Sequence, residues 1–207
     1  MARSVDSERK PLLLAAIIEY FEDKPLSGLS FRTLAKGLGV SSYALVYHFG
    51  TRDQLLDEIV RAIAATQKGV ETAAASDAAV SIDAHLTQLT ASFEWALDPA
   101  NLSVQRLEFE AAMIEAVKPA ERGQSGADDP RHTSTVFQFW IDETARTLEA
   151  LGLDPKTAAL ESRIFNTAFY GFQYDVVINH DPEAARVAFA EMLERYRGHL
   201  TDLLGDH

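Results

Sequence analysis

Tyr43 and Tyr47 stand one helical turn apart, and with Ser42 and Val46 they share the side of a short helix opposite Leu45 and Phe49. Leu45 and Phe49 have an evident use as core residues. Two tyrosines directed at water have none, so the exposed side asks for a partner. Hydroxyl groups reach base edges or phosphates, and apolar surface meets thymine methyls, which suits a helix entering a DNA major groove. Arg52 lies in the first turn of the following helix, where a guanidinium beside the positive helix end is unfavourable unless an anion is present. A phosphate satisfies both; the plainer alternative is an arginine held by Asp53 or a neighbouring acid.

Other residues join this set with alternatives beside them. Arg32, Thr33 and Lys36 fall on the outer part of the preceding short helix, as phosphate contacts or as solvated decoration. His48 either touches DNA or satisfies a buried hydrogen bond beside Phe49. Arg3, Arg9 and Lys10 form an arm on the duplex backbone or belong to a frayed terminus. The candidate DNA-contacting residues are therefore Arg32, Thr33, Lys36, Ser41, Ser42, Tyr43, Val46, Tyr47, His48 and Arg52.

Catalytic chemistry finds no comparable footing. The chain has no cysteine, which removes disulfides, thiolate metal sites and a cysteine nucleophile. A di-iron bundle needs Glu three residues before a histidine, and those positions hold Leu45, Ile82, Asp129, Val177, Tyr196 and Leu204. Phosphate-loop glycines, a nucleophile elbow and a zinc-type histidine pair are missing too. Neither an enzyme nor a cofactor is expected.

The elements that must position the reading face are written between Ser30 and Leu56. Ser30 can cap a helix with apolar residues at Phe31, Leu34, Ala35 and Leu38, a pattern that buries one face. Gly39 ends that helix in a sharp turn plugged by Val40, and Ser41 caps the second helix at once. Thr51 and Gln54 have capping-box spacing and start the next helix directly after Gly50.

Periodicity elsewhere is helical, without sustained strand alternation, and predicts an all-α chain of about nine helices. Asp-Pro occurs at Asp98-Pro99, Asp129-Pro130, Asp154-Pro155 and Asp181-Pro182. Asp caps free N–H groups while Pro at the first helical position loses no bond, so each pair marks a helix start. Helices are predicted from about Ser7 to Glu22, as two short pieces between Ser30 and Phe49, and from Arg52 to about Lys68. Five more follow, near 78 to 97, 99 to 118, 130 to 151, 155 to 179 and 182 to 204. Pro119 to Asp129 reads as a loop and Ala73 to Ala79 as an alanine-rich join. A three-helix helix-turn-helix domain over 1–53 and a helical-bundle domain over 54–207 are expected.

The segment Lys10 to Val60 resembles the DNA-binding domain of the TetR family of bacterial repressors. The resemblance rests on Leu34-Ala35, Leu38-Gly39-Val40-Ser41, Leu45, Tyr47-His48-Phe49, the basic Arg52 and Leu55-Leu56. Val46 stands where the family usually has a tyrosine, while Tyr47 and His48 carry over directly. The resemblance implies a phosphate contact at Arg52 and a homodimer formed through the last two helices. It further implies a small-molecule effector that changes the separation of two reading heads and releases a palindromic DNA site; the alternative is a regulator that answers to a partner protein and takes no small molecule.

In the larger domain Phe189, Leu193, Tyr196, Leu200 and Leu203 repeat at alternating spacings of four and three, and Phe165, Phe169, Phe172 and Val176 do so on the preceding helix. These seams predict a four-helix dimer interface, with burial inside one chain as the alternative. Ile82, Leu86, Leu89, Phe93 and Leu97 already make one buried stripe. Aromatic residues beyond that need suggest a ligand cavity lined from Phe93, Trp95, Phe109, Met113, Phe137 and Trp140.

The net charge of -12 opposes DNA binding only as a sum. Up to Val60 seven basic residues meet eight acidic ones, whereas the remainder holds 12 basic and 23 acidic, so the acidity lies behind the reading segment. The longest apolar run, Leu12 to Ile18, is too short for a bilayer, and Met1 to Lys10 is charged, which predicts a cytoplasmic protein without membrane contact.

Overall fold

The computed structural model describes residues 2–72, 81–117 and 132–205, with side chains described over 9–63, 81–117 and 136–205. The described residues form nine α-helices and no strand. In order they are α1 (Ala2–Phe21), α2 (Phe31–Leu38), α3 (Ser42–Phe49), α4 (Arg52–Thr72), α5 (Ile82–Ala96), α6 (Pro99–Val117), α7 (His132–Leu151), α8 (Pro155–Asn179) and α9 (Pro182–Gly205). A short 3-10 turn, Leu26–Gly28, lies between α1 and α2. The Asp129-Pro130 start, the Pro119 to Asp129 loop and the Ala73 to Ala79 join lie outside the described residues, as does the Arg3 side chain.

Helix ends follow their capping chemistry. The Asp98 carboxylate accepts from the Ala100 amide at 2.9 Å, Asp154 from Lys156 and Thr157 at 3.1 and 3.2 Å, and Asp181 from Ala184 at 3.0 Å. Each receives the N–H groups that a first helical turn leaves without partners. Ser81 caps α5 through the Ala84 amide at 3.1 Å, which puts its first turn at Ile82. Helix α1 starts at Ala2, ahead of the expected Ser7, and keeps Pro11 within it.

The chain divides into two compact units, residues 1–71 with 107–133, and residues 72–106 with 134–207. Helix α6 is thus shared, its first residues belonging to the second unit and its later ones to the first. Helix α4 groups with the first unit because Leu55, Leu56, Ile59, Val60 and Ile63 are all buried.

In the first unit α2 packs on α3 and on α1. Gly37 makes the latter approach possible: a Cβ there would stand 2.2 Å from the Tyr20 ring. Lys10 reaches Glu58 and lies 5.6 Å over the Phe49 ring, tying α1 to α4 across the base of α3.

The second unit is an aromatic-cored bundle in which α5 and α8 both pack on α9. Phe93 stacks on Phe189 at 4.0 Å and meets Phe169 and Phe172 edge-on at 5.8 and 6.2 Å. Phe165 stacks on Tyr196 at 4.9 Å. Exposed ion pairs, Arg186 with Glu94 and Arg197 with Asp83, line the α5–α9 edge and add little beside that burial.

Candidate nucleic-acid interface

Helix α3 is built from its caps outward. Ser30 caps α2 by accepting from the Thr33 amide at 3.1 Å, and Gly39 closes α2 in the left-handed region at φ 66°. The Val40 amide then returns to the Ala35 carbonyl at 3.1 Å, and Ser41 caps α3 through the Ala44 amide, also at 3.1 Å. Only Gly39 to Ser41 separate the two helices. Helix α3 ends at Gly50, φ 70°, and the Thr51–Gln54 capping box starts α4, with bonds of 2.8 and 3.2 Å.

This frame buries Leu45 completely and Phe49 almost so. On the opposite side Tyr43 is 79% exposed, Tyr47 62% and Val46 48%, with Ser42 beside them. Phenol, hydroxyl and apolar groups therefore share one uncovered face. His48 is half-buried between Tyr47 and Phe49, ring centroids 5.1 and 6.3 Å away, so it lies at the margin of this face.

The neighbouring cations divide into two kinds. Arg32 and Lys36 are exposed on α2 and form no ion pair among the described residues, which leaves their charge for an outside anion. Thr33 is also exposed, though its hydroxyl meets the Ser30 hydroxyl at 2.6 Å. Arg52 is engaged already: its Nε donates to the Leu29 carbonyl at 2.9 Å, and one terminal nitrogen lies 3.7 Å from Asp53. Its side chain remains about half exposed while it braces the turn before α2. Sequence reasoning missed the bond to Leu29, 23 residues away, because no local spacing encodes it.

The residues expected to hold an effector are divided between the two units. Phe93 is sealed in the bundle core, Phe137 packs edge-on against Tyr170 at 5.1 Å, and half-buried Trp140 packs against Phe139 at 4.9 Å. Trp95 is 38% exposed. Phe109 and Met113 belong to the first unit, where Met113 is largely exposed. A groove of about 280 Å³ in the first unit is lined instead by Arg9, Leu12, Leu13, Ala16, Leu38, Val40 and Ala44.

The second unit also holds buried polar atoms without partners. Gln105 donates from Nε2 to the Ala96 carbonyl at 3.1 Å, while its Oε1 has no hydrogen bond. His85 Nε2 and the Tyr196 hydroxyl are likewise buried and unpaired. Burial lowers the His85 pKa to about 4, and burial together with the nearby Glu161 charge raises that of Tyr196.

The seam residues Phe165, Val176, Phe189, Leu193, Tyr196 and Leu200 are buried within this single chain, with Phe169, Phe172 and Leu203 packed against the same core. The apolar residues that α8 and α9 leave exposed are Leu160, Ile164, Tyr174, Ile178 and Val187.

A capped helix pair with one face buried and the other presenting tyrosines has the form of a helix-turn-helix. Residues 13–59 match the family model of bacterial regulatory proteins, tetR family. Three solved structures are similar over most of the chain. One is a TetR-family transcriptional regulator from Pectobacterium atrosepticum, TM-score 0.68 and 18% identity, covering 94% of each chain. Another is a TetR-family member from Streptomyces coelicolor, TM-score 0.61 and 25% identity, covering 91% of this chain and 97% of that one. The third is the multidrug binding protein EbrR complexed with imidazole, TM-score 0.56 and 25% identity, covering 90% and 93%. No curated protein matches in sequence. Residues 13–59 are thus similar to the helix-turn-helix domain of the tetR family, and the chain is similar in fold to TetR-family regulators. No helix among the described residues is long and apolar enough to cross a membrane, and no group of three potential metal-ligating side chains occurs among them.

Proposed function

We propose that this chain is a cytoplasmic repressor that docks on a palindromic operator as a homodimer and leaves it when a small molecule binds. The observation that carries the reading is the uncovered face of Tyr43, Val46 and Tyr47 on a helix whose register is set by Leu45 and Phe49. Each copy would lay α3 in a major groove, two half-sites about 34 Å apart, with Ser41, Ser42 and His48 at its edges. Arg32, Thr33, Lys36 and the half-exposed Arg52 would hold the phosphates. The DNA-reading part would be residues 1–53, and residues 54–207 would serve pairing and sensing.

Pairing would use the apolar residues exposed on α8 and α9, Leu160, Ile164, Tyr174, Ile178 and Val187, since the seam residues are already committed to the chain's own core. The effector would be an apolar or aromatic compound meeting the partly exposed Trp95, Phe137 and Trp140, with the unsatisfied Gln105 oxygen available to a donor on it. EbrR, a multidrug binding protein similar in fold, supports small-molecule control. Release requires only that the ligand bind the spacing that does not dock more tightly than the one that does.

The test is a titration of the dimer against a labelled duplex from the region upstream of its coding sequence. Wild-type affinity should fall steeply with salt. Tyr47→Ala should bind at least about tenfold more weakly while sedimenting as wild type does. Undiminished affinity in both Tyr47→Ala and Tyr43→Ala, or a wild-type protein that stays monomeric, would refute the reading.

A further inference from the structure

Between α1 and the Ser30 cap of α2 the chain passes through the 3-10 turn Leu26–Gly28 and Leu29, with Leu26 and Leu29 both buried. The turn closes on itself through the Gly28 amide to the Pro25 carbonyl at 3.1 Å and the Leu29 amide to the Leu26 carbonyl at 3.0 Å. Those bonds leave two buried main-chain groups without partners inside the turn: the Leu26 N–H and the Leu29 carbonyl. A buried main-chain group left unsatisfied is costly, so what completes each of them decides where the turn can sit.

Both are completed by charged side chains from distant helices. The Leu26 N–H donates to a Glu110 carboxylate oxygen at 2.6 Å, from α6, 84 residues away. The Leu29 carbonyl accepts from Arg52 Nε at 2.9 Å, from the start of α4. Hydrogen bonds of this charge-assisted kind are shorter and stronger than neutral ones. The turn is therefore held at its first amide by α6 and at its last carbonyl by α4, and the next residue is the cap of the helix pair that carries the reading face.

We propose that Glu110 is a positioning residue for DNA reading: by anchoring the Leu26 amide it fixes the turn that sets α2 and α3, although it touches no DNA itself. This rests on the proposed function.

The experiment uses the full chain, with wild type, Glu110→Ala, Glu110→Gln and Tyr47→Ala titrated by fluorescence anisotropy against the same upstream duplex. Exchange of the Leu26 amide is followed alongside by NMR. Glu110→Ala should bind about tenfold more weakly, the loss expected for one charge-assisted hydrogen bond, with an unchanged slope of affinity against salt because no phosphate contact is removed. Its Leu26 amide should exchange at least about tenfold faster. Glu110→Gln keeps an acceptor at the same place and should restore most of both, a rescue that loss of carboxylate charge alone does not predict.

Wild-type affinity in Glu110→Ala, or Glu110→Gln as weak as Glu110→Ala, overturns the proposal. A salt slope that shifts in Glu110→Ala also overturns it, by showing a direct electrostatic role at DNA. If Glu110→Ala does not fold, Glu110→Gln decides the matter: it must retain both binding and a protected Leu26 amide, and loss of either overturns the proposal. A wild-type protein that binds no such duplex sinks the DNA-reading proposal and this one together, whereas wild-type binding with an indifferent Glu110→Ala sinks this one alone.

Discussion

The two units use aromatic residues at helical spacing for opposite ends. In the first unit Tyr43 and Tyr47 stand out from an eight-residue helix, while in the second Phe93, Phe165, Phe169, Phe172 and Phe189 close on one another. The difference lies in what holds each helix. A helix of eight residues cannot be stable alone in water, so α3 depends on the Ser41 cap, the Gly39 turn and two buried anchors, which frees its other face. Helices α8 and α9, with 25 and 24 residues, gain their stability from burying an aromatic seam. Spacing alone therefore does not separate a reading face from a core; the caps and the length of the helix do.

That contrast can be broken at its strongest point first. Phe189→Ala empties the position around which Phe93, Phe169 and Phe172 pack, and should cost about 3 to 5 kcal/mol of bundle stability. Both tryptophans, Trp95 and Trp140, belong to the second unit, so their fluorescence during urea unfolding reports that unit. A loss under about 1 kcal/mol would mean that the ring cluster is not what holds the bundle.

The next effect is set by pH. His85 is buried neutral with its pKa lowered to about 4 from an ordinary 6.5. Between those values the unfolded chain takes up a proton that the folded chain refuses, so this contribution is fully present above pH 6.5 and falls as the solution is acidified toward 4. From pH 7.5 to pH 5 the bundle should lose about 2 kcal/mol through this one group. His85→Phe should flatten that part of the profile in the same tryptophan assay; a variant as acid-sensitive as wild type would place the dependence elsewhere.

The smallest expected change tests the first unit. Ser41→Ala removes the acceptor for the Ala44 amide and should cost about 1 kcal/mol, read as faster exchange of that amide with the tryptophan signal unmoved. Equal protection in variant and wild type would show that the buried anchors hold α3 without its cap.

Much of this was open to reading in the residues themselves, because it depends on neighbours in the chain. Ser30, Ser41 and the Thr51–Gln54 box cap the helices they were expected to cap, and three of the four Asp-Pro pairs are seen starting helices. The exposed tyrosine face follows from Leu45 and Phe49 by the same short-range geometry.

Long-range partners were not open to it. The bond from Arg52 to Leu29 and that from Glu110 to Leu26 join residues 23 and 84 positions apart, and no periodicity reports them. The aromatic seams of α8 and α9 show why: a repeat of four and three says that a face will be covered, not whether the cover comes from the same chain or another. Tertiary packing filled that face from α5 with Phe93 and Leu86, leaving Leu160, Ile164 and Ile178 outside. The sequence by itself determined most helix starts and which face of each helix is apolar, since caps and periods act within a turn or two, though α1, α4 and α5 differ from their expected bounds at one end. The folded chain decided what each face meets, because burial is settled by whichever distant surface arrives to exclude water.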